Sequence, residues 1–331
     1  MASTPPAQPV GLLVVYKPAG LTSHQVVARV RRILGTRKVG HAGTLDPMAT
    51  GVLVIGVGRA TKLLGYVAGD NKTYLATIRL GVGTNTEDAE GEVTKTPGTE
   101  LDPGARSADL TLLQEAMAGL TGKISQVPSA VSAINVDGKR AYARVRAGED
   151  VQLKPRPVTI SRFELVGSPR TQESQGVRIL DLDVEVDCST GTYVRALARD
   201  LGVALGTAAH LTSLRRTRVG SWTLESALTL EQLQERVADG TEVLVPLGEA
   251  VLEQFPTLLV TERGAKGFAH GLRLRLSEAL ADPRQVKALE GGSPDRVYAL
   301  AADADPLKPF GLARVQNDRL TAVLHLFPGG H

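Results

Sequence analysis

Gly40-His41-Ala42-Gly43-Thr44-Leu45-Asp46-Pro47-Met48-Ala49-Thr50-Gly51 runs straight into the apolar stretch Val52-Leu53-Val54-Ile55-Gly56-Val57. The second half reads as a strand buried on both faces, because no polar residue interrupts it. The first half then reads as a loop anchored by core at its exit, with glycines at 40, 43 and 51 that let backbone approach a ligand closely. An isolated Asp-Pro ordinarily opens a type I turn. Asp46, however, is the first acidic residue of the chain and follows Lys17, Arg29, Arg31, Arg32, Arg37 and Lys38. Cations favour the charged form of a carboxylate, so this position suits a nucleophile or base working beside a polyanion.

On the N-terminal side, the apolar run 12–16 reads as a strand stopped by Lys17-Pro18. From Ser23 a helix is expected, with Val26, Val27, Val30, Ile33 and Leu34 on one face, Arg31 and Arg32 off it, and Gly35 as its stop. On the C-terminal side, residues 72–81 alternate as a half-buried strand with Tyr74 near its start. Glu87, Asp88, Glu90 and Glu92 lack the spacing of a calcium loop and read as a solvated turn.

Leu180, Leu182, Val184, Val186 and Cys188 alternate with Asp181, Asp183, Glu185 and Asp187, which predicts a strand with one wet, acidic face. Its end delivers Gly191-Thr192-Tyr193, and a helix follows with Val194, Leu197, Ala198, Leu201 and Leu205 on one side. Arg195 leaves the other side in the first turn, a rigid perch from which to reach a carboxylate.

With 331 residues, 42% of them hydrophobic and 22% charged, the chain has material for two domains. Its single cysteine, Cys188, excludes an internal disulfide and suits a reducing compartment. Six scattered histidines predict no metal site. Gly56-Val57-Gly58 and Gly81-Val82-Gly83 lack the third glycine of a dinucleotide fingerprint, and Thr121-Gly122-Lys123 lacks the first glycine of a phosphate loop. The apolar run 10–16 is too short to span a membrane, so a cytoplasmic location is expected. Residues 1–80 hold ten Lys and Arg against two acids, leaving 28 cations and 33 acids for the remainder. A basic segment confined to one part of a balanced chain suits a nucleic-acid footprint. Lys139, Arg140, Arg144, Arg146, Lys154 and Arg156 extend that footprint onto an arm at about 126–157.

Lys17-Pro18-Ala19-Gly20-Leu21-Thr22-Ser23-His24, the Asp46 stretch, Lys72-Thr73-Tyr74 and Gly191-Thr192-Tyr193-Val194-Arg195 follow in an order that resembles the TruB family, the bacterial tRNA pseudouridine-55 synthases. The resemblance covers roughly residues 10–225; one departure is Tyr16, where the family more often carries a small acid or amide. It implies a mixed α/β (α+β) catalytic domain over 10–245, with a largely antiparallel sheet, flanking helices and the arm as an RNA-gripping insertion. A flexible tail is expected at 1–9.

The reaction implied is isomerisation of a uridine in the T loop of tRNA to pseudouridine, an internal rearrangement that needs no cofactor. A base inside a folded loop must be flipped out to be reached. On this resemblance Asp46 is the catalytic carboxylate, Arg195 its partner and Tyr74 the ring against which the base packs. Tyr193 packs around the pocket, Leu214 touches the nucleotide, and His41 fills the space vacated in the RNA. Lys17, Arg215 and Arg216 are further RNA contacts. The partner expected is the T-arm stem-loop of tRNA, with no membrane, no protein partner and a monomeric enzyme. The competing readings are a non-catalytic RNA-binding or RNA-folding protein on the same scaffold, and a pseudouridine synthase acting on another RNA.

Beyond Trp222, a helix at 230–238 and a linker at 245–256 lead to short apolar runs at 258–260, 272–276, 297–301, 312–315 and 320–326. These predict a small β-barrel over 250–331, with a polar insertion at 276–294. By its position it resembles the PUA-type RNA-binding appendage.

Overall fold

The computed structural model describes residues 9–129, 135–136, 139–140, 153–174, 176–289, 293 and 295–326. Most of the arm expected at 126–157, and the tail at 1–9 except Pro9, lie outside the described residues. The chain opens with β1 (Gly11–Lys17), α1 (Ser23–Ile33), β2 (Val39–Ala42), β3 (Thr50–Val57), α2 (Leu64–Gly69) and β4 (Lys72–Leu80). The pair β5 (Gly83–Thr84) and β6 (Val93–Lys95) follows, then α3 (Ser107–Gly119) and β7 (Gly122–Gln126). After the short pair β8 (Asn135–Val136) and β9 (Lys139–Arg140) come β10 (Arg156–Leu165), β11 (Arg170–Ser174), β12 (Val177–Cys188), α4 (Val194–Ala204), β13 (Ala209–Val219) and β14 (Trp222–Thr223).

An 11-stranded sheet carries the order β15-β1-β3-β13-β4-β12-β10-β7, where β15 is Val245–Pro246; β2 adds to β3, β14 to β13 and β11 to β12. Its strand pairings are antiparallel except β3 with β13. The largely antiparallel mixed fold expected from the sequence is the one found. α1 forms for the reasons its sequence contains: Thr22 and Gln25 close a capping box, Val26, Val27 and Val30 are buried, and Arg31 and Arg32 complement the dipole in its last turn. β3 is buried along nearly its whole length, and β4 buries Tyr74, Ala76, Ile78 and Leu80.

The acidic face of β12 differs from expectation. Asp181 binds Arg79, Asp183 binds Arg170, Glu185 binds Arg162, and Asp187 binds Arg162 and Arg218. Arginines on β4, β10, β11 and β13 have turned a row of carboxylates into an ion-pair ladder. The pattern of one strand could not show its neighbours.

The parallel joint between β3 and β13 pairs Gly51 with Arg216 at the exit of the Asp46 loop (residues 43–51). Gly51 has φ of +103°, and a Cβ there would stand 2.1 Å from the Arg216 carbonyl oxygen. Gly51→Ala therefore combines backbone strain with overpacking against main chain and should cost about 3 kcal/mol. The check is the urea midpoint at unchanged m-value.

α5 (Leu230–Ala238) packs beside α1, and α6 (Leu247–Gln254) leads to the C-terminal sheet β16-β17-β18-β19, formed by Thr257–Val260, Val297–Ala302, Asp305–Gln316 and Arg319–His325. α7 (Glu262–Ala269), α8 (Leu276–Ala279) and α9 (Pro283–Leu289) accompany it. Among the described residues this small β domain is a four-stranded sheet whose two edges are linked by the segment 274–281, which bridges β19 at Arg275–Arg319 and β16 at Leu280–Val260. The run 272–276 pairs with β19 only through the bridge of Arg275 to Arg319: Leu272 is 58% exposed and Leu276 begins α8. The polar insertion holds two short helices because Leu276, Ala279, Leu280 and Leu289 supply a buried side at helical spacing.

Leu12, Val14, Val52 and Val54 of the large sheet share one apolar cluster with Leu247, Val251, Phe255, Val297, Ala299, Leu312 and Leu326. The region beyond residue 245 therefore packs on the large sheet through apolar side chains. Among the described residues, no helix is long and apolar enough to cross a membrane.

Candidate active site

The Asp46-Pro47 turn is present, with the Ala49 amide donating to the Asp46 carbonyl at 3.1 Å. Its backbone is held from below by side chains. Lys17 Nζ donates to the carbonyls of Pro18, Pro47 and Ala49 at 2.9, 3.0 and 2.6 Å. Ser23 Oγ accepts from the Leu45 amide at 2.9 Å, and the Gly20 amide donates to Pro47. Arg216 donates to the carbonyls of Val52 and Gly43 at 2.8 and 3.0 Å. These bonds leave the Asp46 carboxylate free to point elsewhere.

The carboxylate meets Arg195 side-on: Nε to Oδ2 at 2.9 Å and Nη2 to Oδ1 at 3.2 Å. Arg195 stands in the first turn of α4 and is 4% exposed, whereas the Asp46 side chain is 34% exposed. Its Nη1 donates to the Thr86 carbonyl at 2.7 Å and to Ser129 Oγ at 3.2 Å, and lies 3.6 Å from Asp88 Oδ2. A bidentate, largely desolvated pair of this kind fixes geometry as well as charge.

Asp88 and Glu90 are the site residues that sequence reasoning missed. The run they belong to reads as a wet turn, yet Asp88 is 3% exposed, and its Oδ1 accepts from Thr86 Oγ1 at 2.5 Å and from the Glu90 amide at 3.0 Å. Glu87 leaves the cluster to bind Arg199 at 2.7 Å. Burial, and then the charges of Asp88 and Asp46, hold the Glu90 carboxyl above its usual range, against the Met48 amide and Lys17. The only sequence signal was the density of acids, four within six residues.

A cavity of about 860 Å3 opens over Asp46. Tyr74, Leu214, Tyr193, Arg195 and Arg216 line it with Asp46, as do His24, Lys72, Asp88, Glu90 and residues 189–192. Tyr74 is buried, which pushes its hydroxyl above the ordinary value, while the charge and hydrogen bond of Arg216 oppose the shift. The Tyr193 backbone is fixed by Gln126, which accepts from its amide at 2.9 Å and donates to its carbonyl at 3.1 Å.

Of Lys17, His41, Arg215 and Arg216, carried over as RNA contacts, only Arg216 lines the cavity. Lys17 has no exposed surface and spends its ammonium on the loop carbonyls, so it supports the Asp46 loop rather than meeting RNA phosphate. Burial lowers it to about 8, against Asp46 and Glu90. Arg215 and Arg216 do not act as a pair, because strand alternation sends Arg216 into the buried floor and Arg215 to the exposed opposite face. His41 does not line the cavity; it lies behind His24, edge to face at 5.3 Å. Burial, then the charges of His24 and Arg216, push it down to about 4, so it is neutral at neutral pH. Among the described residues, no group of three or more His, Cys, Asp or Glu is placed to hold a metal ion.

Comparison with known proteins covers the same ground. Residues 31–194 match the TruB family pseudouridylate synthase N-terminal domain, and residues 195–252 match the tRNA pseudouridylate synthase B C-terminal domain. The chain is 52% identical over 299 residues to the tRNA pseudouridine synthase B of Arthrobacter sp. (strain FB24), covering 89% of this chain and 93% of that one. It is 55% identical over 279 residues to that of Cutibacterium acnes (strain DSM 16379 / KPA171202), covering 84% and 88%. Among solved structures, it resembles a chain of a Cbf5-Nop10-Gar1 complex with a TM-score of 0.66 at 23% identity, over 96% of this chain and 85% of that one, a likeness of fold.

Proposed function

Since this chain belongs to the TruB family of pseudouridylate synthases, we propose that it isomerises uridine 55 in the T loop of tRNA, with Asp46 as the catalytic carboxylate. The chain is a tRNA pseudouridine synthase, an isomerase. The observation that carries the assignment of Asp46 is its side-on pairing with a buried arginine at the edge of an open cavity. A binding protein gains nothing from a carboxylate facing a polyanion. A synthase needs one to attack the base or to act on the ribose, and we take the ribose-directed reading, either attack at C1′ or removal of a proton from C2′. In both routes the bond from N1 to C1′ breaks with its electron pair left on uracil. The base turns and C5 bonds to C1′, as the Asp46 oxygen leaves C1′ in the first route or as Asp46 returns its proton to C2′ in the second; C5 then loses a proton and N1 takes one up.

Tyr74 offers the buried ring against which the flipped base rests, with Leu214 and Tyr193 closing the walls. We read the enzyme as a monomer that meets tRNA in the cytoplasm. The C-terminal sheet is read as a PUA-like RNA-binding region that holds the tRNA beyond the T arm. The test is incubation with unmodified tRNA transcripts, followed by carbodiimide-dependent reverse-transcription stops. A stop at position 55 is expected. Stops only in another RNA would move the substrate, and none in any RNA would leave the binding-protein reading.

A further inference from the structure

The steps above make no use of Lys72, although it lines the cavity with Asp46 and Tyr74. It precedes Tyr74 by two residues on β4, so the two side chains leave the same face of the sheet. Lys72 is buried, and its Nζ donates to the carbonyls of Ala68 at 3.0 Å and Asp70 at 2.6 Å. An ammonium has three N–H groups, so these bonds leave one. The Asp70 carboxylate accepts from Gln254 Nε2 at 2.5 Å. A Cβ built on Gly43 would lie 3.4 Å from Lys72 Cε and 3.5 Å from Arg216 Nη1, so two cationic side chains converge under one wall of the cavity.

Burying an ammonium against neutral carbonyls costs free energy that an ion pair would offset. Burial, and then the Arg216 charge, lower Lys72 to about 8, which leaves it mostly protonated at neutral pH. Such a cation suits a site where negative charge arrives only during the reaction. On the ribose-directed route proposed above, charge arrives when N1 leaves C1′ and the electron pair spreads over the uracil carbonyl oxygens.

We propose that Lys72 is a catalytic residue whose ammonium donates a hydrogen bond to a carbonyl oxygen of the detached uracil and stabilises the uracil anion until C5 joins the ribose. No proton passes from Lys72 to the base. The charge disappears when C5 bonds to C1′, the C5 proton leaves and N1 is protonated.

The test compares wild type, Lys72→Met and Lys72→Gln in single turnover on two T-arm stem-loops, carrying uridine or 5-fluorouridine at the target position. Loss of the parent nucleoside is followed after nuclease digestion. Both variants are expected to slow uridine by about 10²- to 10³-fold, the size of losing one donor to a developing anion, with RNA affinity within a few-fold of wild type. Gln keeps donors for the Ala68 and Asp70 carbonyls, so it reports even where Met disturbs the fold. Fluorine withdraws charge from the ring and makes the base a better leaving group, so the deficit on 5-fluorouridine should shrink at least tenfold. An equal deficit on both substrates would reduce Lys72 to a strut for the turn at 68–70, and no deficit would remove it from the reaction. The inference rests on the proposed function. Wild-type enzyme inert on uridine would sink that reading, whereas equal deficits sink only the role of Lys72.

Discussion

Asp46→Asn is expected to cut turnover by at least about 10²- to 10⁴-fold, the range for losing a general base, while the protein stays folded and binds RNA as well as before. The amide has nearly the shape of the carboxylate and can neither attack carbon nor accept a ribose proton. The fold survives because Lys17, Ser23 and Arg216 hold the 43–51 loop through backbone groups, and the turn bond at Asp46 uses its carbonyl. Arg195 keeps the Thr86 carbonyl, Ser129 and Asp88. RNA affinity should hold or rise, since one negative charge is removed from a surface that phosphates approach. Asn serves a type I turn nearly as well as Asp, so a purely structural Asp46 would leave turnover near wild type. Turnover and filter-binding affinity of the same preparation separate the outcomes, and near-normal turnover ends the case for Asp46.

What the sequence could show follows from what is local. α1 was legible because its apolar stripe and its stop at Gly35 lie close together along the chain, and β3 because both its faces are apolar. Arg195 was legible as a perch, since a helix start after a patterned strand is a local fact. Its second carboxylate was not: Asp88 reaches Arg195 only because the 84–92 loop folds back on itself through Thr86 and the Glu90 amide. Lys17 and Arg216 look like surface cations in sequence. Their burial is a property of the joint where β1, β3 and β13 meet under the Asp46 loop, and no window along the chain contains that joint. The C-terminal region was only partly legible for a related reason: the apolar run 272–276 gives no sign that Arg275 bridges β19, that Leu276 opens a short helix and that Leu280 bridges β16.

Arg195→Met should lower turnover by at least about a hundredfold, comparable to losing an oriented catalytic group, and unlike Asp46→Asn it should also destabilise the fold. Two carboxylates depend on this guanidinium. Asp46 is partly open to water and keeps some hydration, so its loss is mainly one of orientation. Asp88 is 3% exposed and would retain the Thr86 hydroxyl and the Glu90 amide but, among the described residues, no cation at ion-pair distance. Removing one partner of a buried pair costs about 3–5 kcal/mol, because the other charge stays desolvated. Denaturant unfolding of Arg195→Met should show a loss of that size. Adding Asp88→Asn removes the stranded charge, so the double variant should regain most of the stability. Its turnover should stay low, because Asp46 still lacks the bidentate partner that orients it. Recovery of both quantities together would mean that Arg195 serves only to neutralise Asp88. Recovery of stability alone separates the two duties of one side chain: neutralising a buried acid and aiming an exposed one.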